Sequence, residues 1–318
     1  MRLGQALLVL LVMSALVFVG LHAIGNPADL LIAPDADQID RARVIAELGL
    51  DQPLWVQYWR FLVSTLHGDL GNSFVYGTPS VTLVMQRLPA TLELAFCALL
   101  IAIVIGIPLG LLAGLRPNHP VAKLIMSGSI LGFSLPTFWV ALLLIMTFSV
   151  SLGWLPASGR GETVRVLGAE WSFLTLDGLA HLVLPAINLS LFKMSLVIRL
   201  TRAGVREVLP QDFVKFARAK GLTRSRVVRM HVLRNTLIPV TTVLGLELGA
   251  TIAGAVVTKT IFSWPGVGKL ILDSLNALDR PVIVAYLLVV VSAFVTINLI
   301  VDLLYHWLDP RVRTGATA

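Results

Sequence analysis

Apolar positions in this chain come in long blocks, with no two- or three-residue rhythm. Six stretches, roughly 6–24, 89–115, 121–150, 179–200, 237–258 and 282–307, stay apolar over the ~20 residues a helix needs to cross a bilayer core. Between them the pattern turns amphipathic. In the long connection 25–88, Pro34-Asp35 precedes a helical run from Ala36 to Leu48 that Gly49 stops. Asp51 and Pro53 then open a second run, Leu54 to Leu66, stopped at Gly68. Leu54, Tyr58, Phe61 and Leu62 fall on one face of it. The pattern predicts an all-α polytopic membrane protein of six transmembrane helices, with a small helical extracytoplasmic subdomain. The stretch 151–178 mixes Gly, Pro and charge and reads as an irregular loop.

Composition agrees. Of 318 residues 56% are hydrophobic and only 14% charged, well below the quarter or so usual in soluble domains. The net charge of +7 follows from the bias that keeps Lys and Arg on the cytoplasmic side, so no nucleic-acid partner is inferred. Cys97, the one cysteine, lies in an apolar span, which leaves no intrachain disulfide. Residues 1–24 resemble a secretory leader, but they are read here as a retained first span.

Charge orients the spans. With the N-terminus inside, Arg2, Arg116, Lys123, Arg311, Arg313 and ten residues between Arg199 and Arg234 face the cytoplasm. That is fifteen of the 25 Lys and Arg, against nine outside, with Lys193 inside a span. Both termini are therefore predicted to be cytoplasmic.

The basic stretch from Arg199 to Arg234 contains a helix of about two turns. Asp212 is placed to cap its start, Lys220 suits the negative end of its dipole, and Gly221 supplies the left-handed turn that ends it. So short a helix is unstable alone and must dock on something. Phe213, Phe216 and Ala217 fall at i, i+3 and i+4 and form its expected docking face. An interfacial helix on anionic lipid is the alternative.

Phe213-Val214-x-x-Ala217-Arg218-Ala219-Lys220-Gly221-Leu222, followed by His231-Val232-Leu233-Arg234-Asn235-x-x-Ile238-Pro239, resembles the coupling (EAA) loop of ABC importer permeases, most closely the dipeptide, oligopeptide and nickel branch. The resemblance extends along nearly the whole chain. It includes Gly49-Leu50-Asp51-Gln52-Pro53, Gly68-Asp69-Leu70-Gly71, Leu88-Pro89-Ala90-Thr91-Leu92-Glu93-Leu94, Phe262-x-Trp264-Pro265-Gly266-Val267-Gly268 and Leu308-Asp309-Pro310-Arg311. One departure is that Lys215, Phe216 and Ala217 stand where the general pattern has Glu-Ala-Ala.

The resemblance implies a type I importer permease fold and one permease subunit of an ATP-driven peptide importer in the bacterial cytoplasmic (inner) membrane. Expected partners are a second homologous permease, two ATP-binding cassette subunits, an extracytoplasmic binding protein and the bilayer. No cofactor is expected in this chain, and ATP and magnesium belong to the ATPase partner. The chain then divides into a first span 1–24, an extracytoplasmic subdomain 25–88 and a core 89–318 with the coupling loop 201–236. Coupling is assigned to Phe213, Phe216, Ala217, Arg218, Lys220 and Gly221. Nickel chelates and glutathione are alternative cargoes, and an ion-gradient carrier is the alternative class.

Gly266-Val267-Gly268-Lys269 lacks the spacing of a phosphate loop and carries Leu270 where Ser or Thr must bind magnesium. No catalytic pair or metal-ligand spacing occurs, and His22, His181 and His306 sit apart at span ends. Charges within spans are costly and point to function. Lys193 and Glu247 are accordingly candidates for the translocation path, with Trp264 at its outer mouth or in an interfacial aromatic belt. Glu93 and Asp302, near span ends, are expected to be structural.

Overall fold

The computed structural model of the chain describes residues 2–23 and 51–308. The expected helix over 36–48 lies outside them. The described residues fold as α1 (Arg2–Ala23), α2 (Leu54–Leu66), α3 (Ser80–Leu115), α4 (Pro120–Ser134) and α5 (Thr137–Leu144), which widens into a π-helical turn (Ile145–Ser151). A hairpin, β1 (Val164–Val166) and β2 (Ala169–Trp171), precedes α6 (Leu176–Val208). Then come α7 (Asp212–Ala219), α8 (Arg224–Val227) with a π-helical continuation (Val228–Leu233), α9 (Arg234–Gly254), α10 (Val256–Ile261), α11 (Val267–Asn276) and α12 (Arg280–Leu308).

Four of the described helical stretches are long and apolar enough to cross a bilayer: Ser80–Leu115, Leu176–Val208, Arg224–Ile252 and Arg280–Val301. The expected span 121–150 is not straight. It bends by 104° between α4 and α5. Pro136 has no N–H to donate and pushes Leu135 into extended backbone (φ −76, ψ 132). Pro108 breaks nothing, and α3 runs through it. The remaining expected span is α1, apolar over Gly4–Gly20. Its 22 residues reach about 33 Å, the thickness of a bilayer core. The loop expected over 151–178 contains the β-hairpin instead, paired in register Val164–Trp171, Arg165–Glu170 and Val166–Ala169.

The chain forms two compact units. One comprises Met1–Arg87 and Leu270–Val295. In it α2 lies against α1, with the Tyr58 hydroxyl 2.9 Å from Ser14 Oγ and the Phe18 ring 5.3 Å and 5.8 Å from the rings of Tyr58 and Phe61. Leu54, expected on that face, is exposed. The fully buried Asp279 carboxylate accepts from the backbone N–H groups of Phe74 (3.1 Å) and Val75 (3.4 Å) and from the Ser73 hydroxyl.

The second unit comprises Leu88–Lys269 and Thr296–Ala318. Its spine is a glycine seam. Gly106, Gly110 and Gly114 recur every four residues along α3 and face Val197, Thr201 and Val205, which recur likewise along α6. A Cβ at Gly110 would stand 2.6 Å from Thr201 Cβ and 2.7 Å from the Ile198 carbonyl. Small residues in membrane helices permit this backbone approach, which dispersion then rewards. Gly245 plays the same part on α9, where a Cβ would collide with Val301 of α12.

Gly110→Val should therefore force α3 off α6 and lower the thermal midpoint of the purified protein, by overpacking worth about 1–3 kcal/mol. An unchanged midpoint would rule out the seam.

Candidate functional site

The short basic helix α7 is amphipathic in an unexpected register. Val214 and Ala217 point inward and are buried with Val205, Val227 and Val232. Phe213 and Phe216 point outward, 37% and 61% exposed, beside exposed Lys215, Arg218 and Lys220. Ala217, expected on the outer docking face, thus belongs to the inner one. On a helical wheel it lies about 40° from Phe213 and about 60° from Val214, so its small side chain can serve either face. Here the apolar cluster under the loop takes it.

The ends of α7 also differ from expectation in part. Gln211 occupies the capping position, with no side-chain cap. Asp212 is the first helical residue and accepts from Lys215 Nζ at 2.9 Å. That hydrogen bond, and then the charge of Lys215, hold the Asp212 carboxyl below its usual pKa. Gly221 turns the chain as expected, with φ +80, and its N–H donates to the Arg218 carbonyl at 2.9 Å. Lys220 folds back so that its ammonium lies 4.6 Å from the centre of the Phe216 ring, at cation–π range. Beyond the turn, helix continues from Arg224 to Gly254 through the π-helical segment.

Lys193 on α6 and Glu247 on α9 were separate candidates by sequence. The fold makes them partners, with Lys193 Nζ 3.0 Å from Glu247 Oε2. The lysine side chain is 8% exposed and the glutamate 23%. Each cancels the charge that would make the other costly in lipid.

Trp264 is fully buried, which excludes the interfacial-anchor reading. Its indole N–H donates to the Ala90 carbonyl at 2.7 Å, and Val267 N–H donates to Thr91 Oγ1 at 3.0 Å. These bonds fold the segment Phe262–Gly268 down onto α3 about three turns from its start, so Trp264 lines no open path in this conformation. Beneath it lies a residue that sequence reasoning missed. Lys259, counted among the outward-facing charges, is 1% exposed. Its ammonium has one acceptor, the Ile252 carbonyl at 3.5 Å, and no carboxylate within ion-pair range among the described residues. Its stem runs under Gly266 and Gly268, where a Cβ would meet Lys259 Cδ at 3.5 Å and 3.0 Å. Those two glycines, with Lys259 in an otherwise apolar and Thr-rich run, were the available signal.

Glu93 is structural, as expected. Its buried carboxylate accepts from Arg160 Nε (2.7 Å), Ser172 N–H (2.9 Å) and Ser172 Oγ (2.8 Å), which ties the base of the hairpin to α3. Among the described residues no group of three His, Cys, Asp or Glu is placed to hold a metal ion.

A family described as "Binding-protein-dependent transport system inner membrane component" matches residues 106–314, and "Binding-prot-dependent transport system membrane comp, N-term" matches residues 1–95. The chain is 38% identical to the dipeptide transport system permease protein DppB of Escherichia coli (strain K12), over 98% of this chain and 97% of that protein. It is 41% identical to the oligopeptide transport system permease protein AppB of Bacillus subtilis (strain 168), over 96% of this chain and 95% of that one. Among solved structures, an inward-facing MetNI methionine ABC transporter matches with a TM-score of 0.57 at 17% identity, covering 71% of this chain and 96% of that one. This last likeness is one of fold.

Three variants test the buried charges. Lys193→Met leaves Glu247 unpaired and should cost roughly 3–5 kcal/mol of stability, most of it recovered in Lys193→Met/Glu247→Gln. A double variant no more stable than the single one would show that the pair is not coupled. Lys259→Met removes an ammonium with one weak acceptor, so the thermal midpoint should hold or rise. A fall of several degrees would reveal an anionic partner outside the described residues.

Proposed function

The chain belongs to the family of binding-protein-dependent transport system inner membrane components, and from that premise we propose that it forms half of a translocation path for di- or oligopeptides. It is a permease subunit of an ABC importer and not an enzyme. Hydrolysis of ATP, with its magnesium, belongs to two ATP-binding subunits on the cytoplasmic side. A second related permease completes the path, and an extracytoplasmic binding protein delivers the cargo. The lysine and arginine asymmetry supports cytoplasmic termini. Residues 25–88 make the extracytoplasmic subdomain and 89–318 the core, with 201–236 as the coupling loop. The peptide reading is supported by the relatives, which are dipeptide and oligopeptide permeases.

One observation carries the coupling role: two aromatic side chains stand exposed on a helix whose other face is locked into the permease core. Phe213 and Phe216 enter a groove of the ATPase, Arg218 and Lys220 make polar contacts around them, and Gly221 sets the angle to the next helix. Closure of the ATPase pair on ATP drives α7, and the packed spans rearrange as rigid bodies to open the path to alternate sides. Glu247, the more exposed member of its ion pair, is the group that meets cargo in the path. Trp264 guards the outer mouth.

Phe216→Glu should reduce co-purification of the ATPase about tenfold or more, since burial of one aromatic contributes about 1.5–3 kcal/mol. Membrane insertion should be unchanged. Ala217→Glu should instead destabilise the permease itself. Wild-type co-purification and uptake in Phe216→Glu would remove the docking role. Uptake in vesicles that survives ATP depletion but collapses with the ion gradient would identify a carrier, and competition by glutathione or nickel chelates but not peptides would reassign the cargo.

A further inference from the structure

The outer hairpin carries a feature that its own folding does not require. Its strands are joined by Leu167-Gly168, with φ +52 and +81. A two-residue turn with both φ positive matches the twist of the strands, and it favours Asn or Asp before Gly because a leucine side chain is strained there. Leu167 is also 99% exposed. Asparagine would relieve the strain and present no apolar carbon to water. Leu278, the other leucine with positive φ, has a local reason. It closes α11, with its own N–H on the Leu275 carbonyl and the Asp279 N–H on the Ser274 carbonyl at 2.8 Å. Leu167 ends no helix and covers nothing.

The base of the hairpin is stiff. Two short strands alone are marginal, but the buried Glu93 carboxylate holds Arg160 and Ser172 on either side of them. Thr175 Oγ1 donates to the Glu162 carbonyl at 2.8 Å, and Glu162 N–H donates to Asp177 Oδ2 at 2.8 Å. The tip is apolar, with Val164 and Val166 both exposed, and Arg165 opposite Glu170 sets charges beside it. A small apolar centre with a polar margin is the composition of a protein–protein contact. A strained residue on a rigid support points to function.

We propose that this hairpin is a docking finger for the extracytoplasmic binding protein, with Leu167 seated in an apolar pocket of that protein. The inference rests on the importer reading, since a family whose transport depends on a binding protein must present it an outer surface.

The test uses the full assembly in vesicles, with cargo-loaded binding protein titrated outside. Leu167→Asn should raise the concentration giving half-maximal uptake about tenfold, the loss expected for most of one leucine contact. Leu167→Met should stay near wild type. A photo-crosslinking benzoylphenylalanine at position 167 should capture the binding protein. An unchanged half-saturating concentration in Leu167→Asn, or capture of lipid or the second permease alone, would overturn the finger. Wild-type uptake indifferent to the binding protein would instead overturn the importer reading on which it rests.

Discussion

The close approach of α3 and α6 is the constraint from which the core unit is built. Three glycines on one helix meet two valines and a threonine on the other at a separation that no side chain at the glycine positions would allow. In lipid no hydrophobic effect drives helices together, so a backbone approach of this kind has to supply the cohesion. The seam positions everything else. Above it, α3 carries Ala90, Thr91 and Glu93, which hold the Trp264 segment and the hairpin. Along it, α6 carries Lys193. Below it, α6 runs out to Val208 and leads into the basic loop that holds α7.

Among the described residues, buried charge follows one rule with one exception. Glu93 is answered by three donors, Asp279 by a hydroxyl and two backbone N–H groups, and Lys193 by Glu247. Each arrangement ties together segments distant in sequence, so desolvating the charge is offset by order it imposes elsewhere. Lys259 breaks the rule, with one carbonyl at the limit of hydrogen-bond range. It lies under a segment latched by two single bonds to α3, and release of those bonds would uncover the ammonium.

How much of this the sequence carried depended on the range of the signal. The bounds of α2 followed from Pro53 and Gly68, because caps and breakers act within a turn. Five of the six spans appeared as helices or apolar helical stretches close to where hydropathy put them, since twenty apolar residues leave little choice. Proline was ambiguous. Pro136 bends its span sharply, while Pro108, between two glycines of the seam, leaves α3 intact. The hairpin went unread because strands of three residues show no periodicity and Leu-Gly is not a recognised turn pair. Ala217 went to the wrong face because burial, not spacing, decides a side chain near the boundary. The Lys193–Glu247 pair lies 54 residues apart, a distance no local pattern spans.

The same geometry limits how the loop that holds α7 can move. Its two flanking helices, α6 and α9, are joined close to the loop where Thr236 packs on Gly204, and again farther along at Lys193–Glu247. From Thr236 to Glu247 the helix rises about 17 Å. Two attachments that far apart prevent α9 from hinging on α6. Within the loop, α7 shares one apolar cluster with Val227 and Val232 of the second short helix, so it cannot swing freely either. A force applied at Phe213 and Phe216 is therefore not absorbed locally. It moves α6, the loop and α9 as one body, and through the glycine seam it carries α3 as well. The tight packing that stabilises the unit in lipid also ties the two exposed aromatics mechanically to the residues of α3 that hold Trp264 and the hairpin.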